Sequence, residues 1–161
     1  MKALIDLQLA TEHPQVPELE LMSQWVSAVL AEQNIAQAEL TVRVVDEDAS
    51  QSLNATYRQK EKPTNVLSFA MDTEVPLEVR LLGDLVICAP VVAQEAEQQG
   101  KLLADHWAHM LIHGTLHLLG YDHITDKEAE EMEDIERSIL RQFGIPDPYL
   151  ADSHNAPLHK E

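Results

Sequence analysis

The spacing of apolar residues predicts strands and helices along the first part of the chain. Residues 3–9 largely alternate between apolar and polar side chains, which is typical of a strand, whereas residues 17–32 carry apolar side chains at helical spacing. The β-branched run at residues 41–45 predicts a second strand. Asp48 is expected to cap a short helix that ends near Arg58.

The rest of the chain predicts two more strands and three more helices. The short apolar runs at residues 66–70 and 82–88 predict strands, and a charged segment at residues 72–80 is expected to be a mobile loop. A polar link is expected at residues 59–63. The three helices are expected at residues 90–100, 102–119 and from 125 or 126 to 143. This order predicts a layered α+β domain, a small mixed four-stranded sheet packed with about five helices.

Length and composition indicate one globular domain. A chain of 161 residues with 45% hydrophobic residues can bury a core without disulfides. We expect a single domain at residues 1–150 and a flexible tail at residues 151–161, which includes His154 and His159. The one cysteine, Cys88, lies in an apolar run and is expected to be a buried thiol in a reducing compartment.

Charge and hydropathy narrow the possible locations and partners. Eleven basic residues against 28 acidic ones give a formal net charge of −17, which argues against a surface that wraps nucleic acid as a whole. No segment has the roughly 20 apolar residues of a membrane helix, and Asp6 interrupts the apolar stretch at the N-terminus. We expect a cytoplasmic protein with no membrane partner.

Five of the eight histidines fall within residues 106–123, and three of them have the spacing of metal ligands. His113 and His117 are four residues apart on the predicted long helix, so both imidazoles can reach one ion. Gly120 can end that helix in a left-handed conformation, which allows His123 to return to the same ion. This zincin-like His-x3-His-x5-His pattern predicts a zinc site at the end of a central helix, with a fourth position left for water.

The same pattern argues against a peptidase of the metzincin type. That mechanism needs a glutamate directly after the first histidine as general base, and Gly114 stands there. His106 and His109 lie on the same helix face and are expected to be either partners of the ligands or ordinary helix histidines. Asp122 could orient an imidazole or cap the next helix.

Three segments of the chain resemble the YbeY family of bacterial single-strand endoribonucleases, which act in ribosomal RNA maturation. The segment from His113 to His123, HGTLHLLGYDH, resembles the family signature. Residues 52–69, SLNATYRQKEKPTNVLSF, and residues 82–88, LGDLVIC, resemble two further hallmarks. The resemblance covers about residues 3–150. Asn65 and Ala70 depart from it, because an aspartate and a proline are expected at these positions.

The resemblance implies the activity and the residues that carry it. It implies an α+β fold, one Zn²⁺ per chain held by His113, His117 and His123, and Arg58 as the basic residue of the RNA-cleaving site. His113 and Arg58 are thereby expected to be catalytic. The implied substrate is single-stranded ribosomal RNA, cleaved in maturation of the 16S rRNA 3′ end and in ribosome quality control. The implied partners are the small ribosomal subunit and its proteins, and DNA is not expected.

The local charge supports RNA binding beside the predicted metal. Residues 58–62 contain three basic residues against one acidic residue, whereas residues 122–136 contain eight acidic residues and one lysine. Arg58, Lys60, Lys62 and Lys101 are therefore candidates for guiding a single strand, while the acidic last helix is a solvated face or meets a basic protein. The nearby aromatic residues are candidates either for base stacking or for the core: Tyr57, Phe69, Trp107 and Tyr121.

Two other functions fit the same residues. One is a ribosome assembly factor without catalytic activity, in which zinc is structural. The other is a different metal-dependent hydrolase built on three histidines, against which the missing glutamate and the segment around Arg58 both argue.

Overall fold

The computed structural model describes residues 2–58, 64–71, 80–121 and 125–149. Within these ranges the chain forms four strands and five helices, as the sequence predicts. The strands are β1 (Lys2–Ala10), β2 (Gln37–Val45), β3 (Val66–Ala70) and β4 (Arg80–Cys88). The helices are α1 (Leu19–Glu32), α2 (Glu47–Arg58), α3 (Ala89–Gln99), α4 (Leu103–Leu118) and α5 (Asp126–Gln142).

The four strands form one mixed sheet in the order β1-β2-β4-β3. β1 and β4 both pair in parallel with β2, whereas β3 pairs antiparallel with β4. β1 and β3 are therefore the two edges of the sheet. The α+β class predicted from the order of elements is confirmed.

Apolar residues on both faces of the sheet are covered by helices. On one face, Gly114 of α4 lies against Leu85 of β4 and Val66 of β3, and α1 packs on β1 and α4. On the other face, Leu53 of α2 packs on a cluster of buried side chains that β2, β3 and β4 contribute. That cluster consists of Val45, Leu67, Val86 and Cys88. Cys88 is thus buried, as its apolar neighbours predict.

Gly83 allows β3 to approach β4 closely. Its φ of +133° lies in a region that residues with a side chain rarely adopt. A Cβ atom on Gly83 would come within 2.2 Å of the Phe69 carbonyl oxygen. The glycine of the LGDLVIC segment is therefore required by the backbone of the neighbouring strand.

The chain divides into two compact units, Met1–Tyr121 and Asp122–Glu161. In the second unit, Thr125 caps α5 with a capping box, in which its side chain and that of Glu128 each accept from the backbone N–H of the other. Tyr149 donates a hydrogen bond to the buried carboxylate of Glu136. Burial, followed by the charge of Glu136, raises the pKa of Tyr149 well above its usual value.

Some boundaries differ from the sequence predictions. β2 begins at Gln37 rather than residue 41, and β4 begins at Arg80. The prediction that Asp48 caps α2 is wrong: the helix begins at Glu47, and the Asp46 carbonyl accepts the first helical hydrogen bond from Ser50. The predicted link at 59–63, residues 72–79 of the loop predicted at 72–80, and the predicted tail at 151–161 lie outside the described residues. Among the described helices, none has the length and apolar character needed to cross a membrane.

Candidate metal centre

The end of α4 has a defined local structure. Gly120 has a positive φ of +102° and follows the C-cap residue Leu119. The Gly120 N–H donates to the His117 carbonyl, and the Tyr121 N–H donates to the Leu116 carbonyl. These two bonds form a Schellman motif, which confirms the role predicted for Gly120. His117 therefore lies in the last turn of α4, one turn after His113.

The side chains of His113 and His117 converge. Their Nε2 atoms are 3.1 Å apart, and the ring centroids are separated by 4.6 Å. Two nitrogens bound to one tetrahedral zinc ion at about 2.0–2.1 Å would lie about 3.3 Å apart. The distance also fits a hydrogen bond between one protonated and one unprotonated nitrogen. The pair has the donor chemistry and spacing that two zinc ligands need, so these residues could hold a metal ion.

The two histidines belong to a row that follows one side of α4. His106, His109, His113 and His117 are each in edge-to-face contact with the next, with centroid separations of 6.2, 6.0 and 4.6 Å. His106 and His109 are buried, whereas His113 and His117 are only partly so. Solvent therefore reaches the row at the end where the candidate ligands lie.

A hydrogen-bonded network fixes the buried end of the row. His106 Nε2 is 2.9 Å from Glu95 Oε1, and the Asn65 side-chain amide donates to both oxygens of the same carboxylate. Asn65 also accepts a hydrogen bond from the backbone N–H of Val66, the first residue of β3. This network joins α3, α4 and the start of β3 at the end of the row opposite the candidate metal ligands.

The position of Asn65 explains one departure from the YbeY resemblance. An amide can donate to Glu95, whereas the aspartate expected there would place a second carboxyl group against the first. The sequence alone does not indicate the role of Glu95. Its partners are 11 and 30 residues away, so no local motif marks it.

Gly114, which separates the candidate ligands from a metzincin pattern, lies against the sheet. A Cβ atom on Gly114 would be 2.8 Å from Leu85 Cδ2 and 3.4 Å from Val66 Cγ2. The adjoining Ser68 hydroxyl of β3 donates to the Gly114 carbonyl at 3.4 Å. A side chain at this position would therefore require the Leu85 side chain, or α4 itself, to shift.

The remaining predicted site residues are only partly described. Arg58 is the last residue of α2, and Lys101 lies in the link between α3 and α4. His123, Asp122, Lys60 and Lys62 lie outside the described residues, so their predicted roles stay predictions. Of the aromatic candidates, Trp107 is a core residue, Tyr121 donates to the Gln33 side chain, and Tyr57 is exposed.

Two ionisable groups near these elements have shifted pKa values. Burial raises the pKa of the Cys88 thiol. The backbone N–H of the same residue donates to the Asn65 carbonyl. Burial likewise raises the pKa of Asp105 in the first turn of α4. The Cys88 thiol is therefore protonated at neutral pH, which makes it a core residue rather than a reactive group.

A mixed α+β sheet with two facing histidines at the end of one helix defines a protein with a candidate metal centre. The model of the family described as endoribonuclease YbeY matches residues 7–144. The chain belongs to this family, so the enzyme class expected from the sequence, an endoribonuclease, is confirmed.

Individual proteins agree with the family assignment. The endoribonuclease YbeY of Alteromonas mediterranea is 53% identical over 157 residues, which are 94% of this chain and 99% of the relative. The solution structure of TM1509 from Thermotoga maritima matches with a TM-score of 0.56 at 20% identity and covers 97% of this chain and all of that one. At this identity the structural match supports the fold alone.

Proposed function

We propose that this protein is a zinc-dependent endoribonuclease that cleaves single-stranded ribosomal RNA, including the precursor of the 16S rRNA 3′ end. The observation that supports the metal dependence is the 3.1 Å approach of His113 Nε2 to His117 Nε2 at the end of α4. Membership of the YbeY family supports RNA as the substrate. In this proposal the cell compartment is the cytoplasm, and the partners are the small ribosomal subunit and its proteins.

His113, His117 and His123 would hold one Zn²⁺ per chain. A zinc ion bound there supplies a water of lowered pKa and polarises a phosphoryl oxygen. The His113 and His117 imidazoles must be neutral at Nε2 to bind it, so acid weakens binding. Gly114 offers no carboxylate beside these ligands, so the protein does not depend on a glutamate base of the metzincin kind.

Arg58 would stabilise the charge that develops on the phosphoryl oxygens during cleavage. A guanidinium offers a planar fork of donors that a lysine cannot reproduce. Arg58, Lys60, Lys62 and Lys101 would attract the phosphates of the strand in a protein whose net charge is otherwise strongly negative.

The test combines metal analysis with cleavage of a single-stranded fragment from the 16S rRNA 3′ end. The wild type should contain about one zinc per chain and cleave the fragment, but not its duplex or the DNA of the same sequence. Arg58→Ala should keep the metal and lose roughly 10²- to 10³-fold in kcat, and Arg58→Lys should also be strongly impaired. His117→Ala should lose both metal and cleavage.

Other outcomes identify the competing functions. Zinc without cleavage by the nuclease-free wild type, together with unfolding on loss of His117, would indicate an assembly factor with a structural metal. Hydrolysis of a model ester or of casein in the absence of RNA cleavage would indicate a different metal-dependent hydrolase.

A further inference from the structure

Tyr57 is an exposed aromatic residue in a protein with few aromatic residues. The chain has two tryptophans, three tyrosines and two phenylalanines, all of them within the described residues. Tyr57 is 64% exposed, whereas the other six are buried or partly buried. The Tyr57 ring is therefore open to a ligand from the solvent.

Phe69 supports the Tyr57 ring from the neighbouring strand. The two ring centroids are 5.2 Å apart and the ring planes meet at 73°, which is an edge-to-face contact. Phe69 lies on β3, where its carbonyl is held close to Gly83 of β4. Tyr57 is in the last turn of α2. The pair is therefore built on a helix and a strand of the fold rather than on a loop.

The charge around Tyr57 in the sequence favours a polyanion. Arg58 follows it directly, and Lys60 and Lys62 come next, in a chain whose formal net charge is −17. Exposed aromatic rings beside cations are the usual surface for single-stranded nucleic acid, because bases stack on the rings while the cations attract the phosphates.

We propose that Tyr57, supported by Phe69, stacks on a base of the single-stranded substrate and so forms a base-binding subsite beside Arg58. This inference rests on the proposed function and adds to it the group that recognises an unpaired base. In a duplex both faces of a base are covered by its neighbours, whereas a single strand can turn one base outwards. The subsite therefore contributes to the preference for single strands.

The test is the affinity for a fluorescein-labelled single-stranded 2′-O-methyl oligonucleotide, which resists cleavage, measured by fluorescence anisotropy on the zinc-loaded protein. Tyr57→Ala should raise Kd about 5- to 150-fold, which corresponds to the roughly 1–3 kcal/mol of one lost base–aromatic stack. Tyr57→Phe keeps the ring and should stay within about threefold of the wild type. Tyr57→Leu keeps an apolar contact for Phe69 but offers no aromatic face, so it should behave like Tyr57→Ala.

Leu9→Ala is the matched control. Leu9 is 61% exposed and lies on β1, at the opposite edge of the sheet from β3. Its removal should leave Kd unchanged. If Tyr57→Ala and Tyr57→Leu match Leu9→Ala while the wild type binds and cleaves RNA, the stacking inference is wrong and the proposed function stands.

A second arm identifies the base as the partner of the ring. In a series of oligonucleotides with one abasic sugar each, one position should weaken binding of the wild type and have little effect on Tyr57→Ala. Equal losses in both proteins at every position would overturn the inference. A wild type that binds neither oligonucleotide nor RNA would overturn the proposed function together with it.

Discussion

At the scale of single residues, two glycines show how closely the backbone elements of this protein approach one another. A Cβ atom added to Gly83 would lie 2.2 Å from the Phe69 carbonyl oxygen of β3. A Cβ atom added to Gly114 of α4 would lie 2.8 Å from Leu85 Cδ2 of β4. A glycine inside a helix ordinarily costs about 1 kcal/mol relative to alanine. At Gly114 that cost is offset by the packing of α4 on the sheet.

Gly83→Ala should lower the free energy of unfolding by about 2–4 kcal/mol. Its new methyl group would meet backbone atoms of β3 and would also force an alanine into a φ of +133°. Gly100→Ala is the control, since φ there is also positive, at +66°, but no atom lies within 4 Å of the added Cβ. It should cost about 1 kcal/mol. Urea unfolding followed by circular dichroism measures both, and equal losses would contradict the role assigned to the β3 backbone.

The residues of the candidate centre were predicted unevenly. His113 and His117 could be found because helical periodicity places residues four apart on one face, and this requires no knowledge of the tertiary structure. The contacts of Glu95 with His106 and Asn65 cannot be predicted in this way, because they join three segments that only the folded chain brings together. For the same reason the sequence predicts His106 as either a partner of the ligands or an ordinary helix histidine, but does not predict its contact with Glu95.

At the scale of elements, local signals account for most of the boundaries. β3 spans residues 66–70 as predicted, and the helices begin and end within about two residues of the expected positions where glycine or a capping residue marks them. β2 starts four residues before the predicted strand at residues 41–45. Gln37, Ala38, Glu39 and Leu40 alternate in burial, but they contain no β-branched residue, so propensity alone did not indicate a strand.

These local signals do not predict the order of the strands in the sheet. β4 pairs with β2, which lies far earlier in the chain, and with β3, which directly precedes it. Such pairings depend on which apolar faces meet in the folded protein. The sequence indicated a small mixed sheet, but not which strands form its edges.

In the second compact unit, Tyr149→Phe should destabilise α5 and the residues that follow it. The variant loses the hydrogen bond to the buried Glu136 carboxylate, which should cost about 1.5–3 kcal/mol at pH 7. The raised pKa of Tyr149 also makes this contribution depend on pH. The folded state keeps the phenol proton while the unfolded state loses it above about pH 10, so the stabilisation is complete below pH 10 and is lost as pH rises above it.

Guanidinium unfolding of the wild type and of Tyr149→Phe at a series of pH values measures this dependence. The difference in unfolding free energy should be largest between pH 7 and 9 and should shrink towards pH 12. A difference that stays constant over the whole range would mean that the phenol proton does not contribute.

At the scale of the whole molecule, the distribution of charge sets how the protein can meet RNA. A formal net charge of −17 repels a polyanion, so attraction has to come from a local set of cations. The segment that carries Arg58, Lys60 and Lys62 is the densest such set in the first half of the chain. RNA binding should therefore involve few phosphates, and specificity should come from contacts other than charge.

This predicts a shallow dependence of RNA affinity on salt. If three cations each neutralise one phosphate of a single strand, the logarithm of the association constant should fall against the logarithm of the salt concentration with a slope of about −2. Anisotropy titrations between 50 and 300 mM salt measure that slope. Lys60→Ala combined with Lys62→Ala should bring it to about −0.7. A wild-type slope steeper than about −5 would require a second basic surface.

The contact between Gly114 and Leu85 also limits what this scaffold can be turned into. To give this protein peptidase activity, one would first replace Gly114 by glutamate, because Gly114 is the residue at which α4 departs from the peptidase motif. The Cβ atom of that glutamate would lie 2.8 Å from Leu85 Cδ2, so the Leu85 side chain or α4 would have to shift to admit it. Packing thus opposes a conversion to peptide hydrolysis, and a smaller residue at position 85 of β4 should accompany the catalytic change.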